Sequence, residues 1–149
     1  MSFPDAIKSV FSQYATFSGR ARRSEFWFWY LFLVIVAAVT GILLGIVGAA
    51  SLDATTGTLG GAFYVLTSLV SLVWLALLLP TLAVMVRRLH DQDKSGFFWF
   101  MSLIPLAGPI IMIVFYATTG TVGPNRFGQD PKVAQASTAP YEASVSPAV

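Results

Sequence analysis

Three long stretches of this chain carry no Asp, Glu, Lys, Arg or His. Residues 26–50 form the first. Residues 62–86 are the apolar part of the second, which lies between Asp53 and Arg87, and residues 97–116 form the third. A bilayer core about 30 Å thick is crossed by roughly 20 helical residues. A helix also satisfies its own backbone hydrogen bonds in lipid, so it is the expected form. Composition agrees, with 56% hydrophobic and only 11% charged residues, against about 25% charged in a soluble domain. Soluble enzyme, disordered chain and secreted disulfide scaffold are poor fits. The expected fold is an all-α membrane protein, with spans over about 26–48, 62–86 and 97–117 inside a membrane domain of residues 20–131. The first stretch is too long, and begins too late, for the 7–15-residue core of a signal peptide. It reads as an uncleaved anchor.

Basic residues give the orientation. Lys8, Arg20, Arg22 and Arg23 precede the first stretch, Arg87, Arg88 and Lys94 follow the second, and residues 51–61 have none. Positive-inside asymmetry therefore assigns the N-terminus and the 87–96 loop to the cytoplasm. Aromatic residues at the ends of the stretches, such as Trp27, Tyr30, Tyr64 and Tyr116, suit the two membrane interfaces. Pro105, Gly108 and Pro109 fall inside the third stretch. A kinked span is expected there, because proline removes a backbone donor. The alternative is a re-entrant hairpin, which would bring Arg126 and Lys132 to the same side as the other seven basic residues.

Ahead of the first stretch, Phe3, Ile7, Val10, Phe11, Tyr14 and Phe17 recur at spacings of three and four, one stripe of a helix. Ser2, Pro4 and Asp5 form a helix start and Gly19 offers a stop. Residues 1–19 are thus expected as an amphipathic helix, either interfacial or packed on the bundle. Residues 132–149, rich in Ala, Ser, Val and Pro, read as a flexible, disordered tail.

Polar chemistry concentrates in two segments. The first holds Arg20, Arg22, Arg23 and Glu25; the second holds Arg87, Arg88, His90, Asp91, Asp93 and Lys94. Guanidinium groups grip phosphate, so one reading is a site for anionic lipid or a protein partner. Another is an ion-pair latch, with Asp91 or Asp93 accepting from the arginines after Gly19, in the first place Arg23 with Asp91. Glu25, at a membrane boundary, is expected to meet an arginine of a neighbouring segment. A catalytic or metal role for His90 with Asp91 and Asp93 ranks last. The chain has no cysteine and one histidine, which leaves little for a transition-metal site. No cofactor and no catalytic residue are expected. Nine basic residues scattered over several segments also make nucleic acid a poor partner. Gly41 and Gly45, four apart, suit close helix packing within one chain or between copies. No stretch contains an ionisable group of the kind that proton relays and coupled transport use.

Taken together, Gly19-Arg20-x-x-Arg23-x-Glu25-Phe26-Trp27, Arg87-Arg88-Leu89-His90-Asp91-x-x-Lys94-Ser95-Gly96 and Asn125-Arg126-Phe127-Gly128-x-Asp130-Pro131 resemble the DUF805 family of small bacterial inner-membrane proteins. Phe97 stands where that family often has tryptophan, and Phe127 where it commonly has tyrosine. The resemblance implies a multi-pass protein of the bacterial inner membrane and no established activity. The expected function is non-enzymatic: an inner-face polar cluster that meets anionic lipid or a membrane protein partner. The alternative is a small oligomeric channel or transport accessory.

Overall fold

The computed structural model describes residues 1–133; most of the tail expected over 132–149 lies outside them. Among the described residues the fold is all helical, with two isolated bridges and no longer strand. Helix α1 (Phe3–Ser12) starts where its capping box requires. Ser2 Oγ accepts from the Asp5 amide at 3.4 Å and Asp5 Oδ2 accepts from the Ser2 amide at 3.0 Å. The helix ends at Ser12, well short of Gly19. The Ser12 hydroxyl and the Gln13 amide side chain both turn back on the Ser9 carbonyl, a local alternative to the helical ladder. Gly19, at φ +87°, instead bends the following connection. Ala6 and Val10 are fully buried. Phe3 meets Phe28 edge-on, with ring centroids 6.0 Å apart, and Phe11 meets Trp29 at 5.3 Å. The apolar stripe thus packs on the next helix, while Phe11, Tyr14 and Phe17 keep their outer faces exposed.

Helices α2 (Arg23–Ser51) and α3 (Gly61–His90) form an antiparallel pair, closed by a short loop with a Leu52–Leu59 bridge. Both are long and apolar enough to cross a membrane. At about 1.5 Å per residue, each reaches more than 40 Å. Only Glu25, Phe26 and Trp29 of α2 are buried, all within its first two turns. Beyond them Val34, Ile35, Val39, Ile42 and Ile46 stand exposed. Gly48 is where α2 meets α3, since a Cβ there would lie 3.3 Å from the Phe63 ring. Gly41 and Gly45 have nothing within 4 Å of an added Cβ. Their face is turned away from the other described residues, so they pack no helices together among them.

Proline interrupts α3 without leaving its backbone unanswered. Pro80 cannot donate to Ala76, four residues earlier. The Tyr14 hydroxyl donates to that carbonyl instead. One position on, Thr81 donates to the Leu77 carbonyl at 2.6 Å and accepts from Trp29 Nε1 at 3.1 Å. The helix around Pro80 is thereby tied to both α2 and the α1–α2 connection.

The continuous span expected over 97–117 does not form. A 3-10 helix (Gly96–Leu103) ends at Ile104, which is extended (φ −72°, ψ 118°). A residue before proline is driven out of the helical region, and Pro105 follows. The chain then reverses through a γ-turn, in which the Ala107 amide donates to the Pro105 carbonyl at 2.7 Å and Leu106 takes φ +63°. Helix α4 (Ala107–Ala117) runs back beside the 3-10 helix. Gly108 permits the approach, because a Cβ would fall 2.5 Å from the Met101 carbonyl oxygen and 2.6 Å from that of Ser102. Neither piece reaches the roughly 20 residues a crossing needs. Both ends of this hairpin lie at the end of the molecule where α2 begins and α3 ends. The packed core, with Val10, Trp29, Val84, Leu89, Met112 and Tyr116, sits at that end too.

Candidate functional site

Two ionic layers occupy this end, and both are out of water. In the first, Arg87 is fully buried. Its Nη1 donates to Glu25 Oε1 at 3.1 Å and to Gln13 Oε1 at 2.7 Å, and the Ser9 hydroxyl donates to the same Glu25 oxygen at 3.1 Å. One carboxylate therefore joins α1, α2 and α3. The Glu25 partner expected from the sequence is supplied by α3. Among the described residues Arg87 Nε and Nη2 have no acceptor.

In the second layer Asp91 stands between two arginines. Arg20 Nη2 lies 2.9 Å from Oδ1, with Nε also donating there, and Arg88 Nη1 contacts Oδ2. The latch is real in this form, but its cation from the α2 side is Arg20, not Arg23. Arg20 sits in the connection, where its remaining N–H groups reach the carbonyls of Thr121 and Gly123, both at 2.6 Å. The Thr121 amide in turn donates to the Asp91 carbonyl at 2.8 Å. Gly120 is obligatory at this crossing, as any Cβ would overlap the Asp91 carboxylate.

The same polar groups finish α4. A helix leaves its last four carbonyls without intrahelical partners. Gln92 donates to Phe115 O, Arg88 to Tyr116 O at 3.1 Å and also to Thr118 O, and Arg23 to Ala117 O at 3.4 Å. The cations also answer the negative end of the helix dipole. Residues that look from sequence like a surface cluster hold the hairpin's returning helix in place.

His90 stacks face to face on Phe127, with ring centroids 3.8 Å apart and planes at 3°. The missing tyrosine hydroxyl is immaterial to this contact. His90 Nδ1 donates to the Gly19 carbonyl at 3.2 Å. Arg126 lies over the other ring of this stack, 4.8 Å from the Phe127 centroid, and pairs with Asp93 at 3.1 Å on the surface. Asn125 donates to the His90 carbonyl at 2.9 Å. Lys94 stands apart, its Nζ 5.0 Å from the Phe115 ring centroid. Among the described residues no three His, Asp or Glu side chains converge as metal ligands.

Between the start of α2 and the 120–132 segment lies a cleft of about 360 Å³, whose walls include Arg20, Arg22, Arg23, Ser24, Asp130 and Lys132. Arg22 donates to the Pro131 carbonyl at 2.9 Å. The amides of Lys132 and Gly123 donate to Asp130 and hold its carboxyl below the usual carboxylate range. Sequence reasoning missed Gln13, Ser9 and the carbonyls of 115–131. The Asn125–Pro131 motif was visible, and it supplies only the Gly128 and Pro131 carbonyls.

The model of a family described as "Protein of unknown function (DUF805)" matches residues 14–129, which include the Glu25–Arg87 pair, the Asp91 layer and the hairpin but not Ser9 and Gln13. The inner membrane protein YhaI of Escherichia coli (strain K12) is 40% identical over 124 residues, covering 83% of this chain and 92% of that protein. The inner membrane protein YhaH of the same strain is 39% identical over 129 residues, covering 87% and 98%. The uncharacterized protein YiiR is 31% identical over 140 residues, covering 77% and 85%. No solved structure matches. With its arginine network and hairpin inside the matched region, the chain belongs to the DUF805 family.

Proposed function

We propose that this chain is a non-enzymatic protein of the bacterial inner membrane whose cytoplasmic end is a platform for anionic lipid. Two helices cross the bilayer, and the 96–117 hairpin enters it from the cytoplasmic side and returns. The carrying observation is the return of α4: Arg20, Arg23 and Arg88 bind carbonyls of residues 116–121, so the chain beyond α4 lies beside the chain before α2. All nine Lys and Arg then gather at one end, while the 52–60 loop at the other end has only Asp53. That asymmetry is what the positive-inside rule expects of a cytoplasmic end, and the relatives named inner membrane proteins agree with the location. Exposed apolar side chains along α2 and α3 suit hydrocarbon and would be a liability in water. A non-enzymatic role is supported by His90, whose ring is stacked on Phe127 and whose Nδ1 is bonded to the Gly19 carbonyl.

Anionic lipid fits better than a zwitterionic one because the platform carries net positive charge at the level of the headgroups. Full-length protein in detergent, mixed with equal amounts of phosphatidylglycerol and phosphatidylcholine, is expected to retain mainly phosphatidylglycerol in native mass spectra. Equal retention of the two would refute the platform. The oligomeric channel or accessory role has one supporting observation, the uncovered face at Gly41 and Gly45, which a second copy could occupy.

A further inference from the structure

We infer that the cleft beside the start of α2 is a phosphate site for one anionic phospholipid headgroup, with Arg22, Arg23 and Lys132 as its ligands. The inference rests on the platform described above and names the groups that act there. Four of the nine cations of this end are engaged in ion pairs. Arg20 and Arg88 share Asp91, Arg87 has Glu25, and Arg126 has Asp93. Among the described residues, Arg22, Arg23 and Lys132 form no ion pair, and all three line the same cleft. Arg23 makes one long bond of 3.4 Å, to Ala117 O, and Arg22 bonds the Pro131 carbonyl through Nε and Nη2. Donors therefore remain on each.

The two carboxylates in the walls do not compete for a cation. Asp91 is held by two arginines, and Asp130 accepts backbone amides of Gly123 and Lys132. Counting Arg20, Arg22, Arg23 and Lys132 against Asp91 and Asp130 leaves the lining at 4 − 2 = +2. Arg22 and Arg23 also stand at the N-cap and first position of α2. There the helix dipole repels cations, so the arrangement is unfavourable until an anion joins it. A phosphate answers both the repulsion between the guanidinium groups and the dipole, and guanidinium binds it bidentately. A volume of about 360 Å³ admits a phosphate with its glycerol. Arg23 begins the helix that runs into the hydrocarbon, so a headgroup here can leave its acyl chains beside α2.

The test uses the full chain in detergent with phosphatidylglycerol, read by native mass spectrometry. Retention is expected to fall about tenfold in Arg22→Gln/Arg23→Gln, to fall less in Lys132→Gln, and to recover in Arg22→Lys/Arg23→Lys. Lys94→Gln, outside the cleft, should retain lipid as the unaltered chain does. Unchanged retention in Arg22→Gln/Arg23→Gln would overturn the site while leaving the platform standing; absence of retention in the unaltered chain would overturn the platform. Inorganic phosphate or glycerol phosphate at millimolar concentration should not displace the lipid. Displacement would assign the cleft to a soluble phosphate and overturn the lipid. A thermal midpoint in Arg22→Gln/Arg23→Gln matching the unaltered chain excludes loss of folding as the cause; a lowered midpoint that Arg22→Lys/Arg23→Lys fails to restore, with retention still lost, counts against the site.

Discussion

A guanidinium group wholly removed from water must have its charge and its donors answered, and the adjacent Arg87 and Arg88 are both 0% exposed. Arg88 meets a carboxylate and two helix-terminal carbonyls. Arg87 relies on Glu25 and Gln13 and leaves two nitrogens without partners among the described residues. Breaking a buried pair strands the remaining charge, at a cost of about 3–5 kcal/mol, whereas replacing both members with apolar groups is often neutral. Arg87→Met should therefore lower stability by about that amount in unfolding titrations in mixed detergent, with Glu25 left to Ser9 alone. Adding Glu25→Leu to Arg87→Met should recover most of the loss. Strictly additive losses would show that the two side chains do not act as a pair. Glu25 was legible in the sequence as a carboxylate in need of a cation. Its partner was not, because the separation of 62 residues between Glu25 and Arg87 is closed only by the α2–α3 hairpin.

At the scale of elements, legibility followed the kind of interaction that decides each one. The α1 start was readable because a capping box is a local pattern, and α2 and α3 because unbroken apolar length is one too. The third apolar stretch was long enough to cross, yet length says nothing of direction. Ile104 before Pro105 forces an extended residue, the γ-turn at Leu106 reverses the chain, and Gly108 lets the two arms touch. The carbonyls that the arginines cap have no sequence signature at all, since every residue carries one. The hairpin supplies its own check. Gly108→Ala should destabilise by about 1–3 kcal/mol through overpacking against Met101 and Ser102, read as a lower thermal midpoint in detergent. Leu106→Gly, which relieves the positive φ, should hold or raise that midpoint. A tolerated Gly108→Ala would argue against the close approach of the arms.

For the whole molecule, the number of crossings decides where residues 118–133 reside. Reporter fusions make the distinction directly. An alkaline phosphatase domain fused after Thr119 should be inactive and a fluorescent protein there should fold and glow, as both should when fused ahead of α2. Insertion in the 52–60 loop should give the opposite pattern. Phosphatase activity after Thr119 would restore the third crossing and refute the re-entrant hairpin.

The hairpin stops partway, so the molecule is thicker at one end than at the other. Near the arginine layers, α1, α2, α3, the 3-10 helix and α4 all stand side by side; toward the 52–60 loop only α2 and α3 remain. Inserted as proposed, with the broad end in one leaflet, such a body would displace more area from that leaflet than from its opposite. It is a wedge, and a wedge has a preferred curvature: it sits with least strain where the broad end faces the outside of the bend.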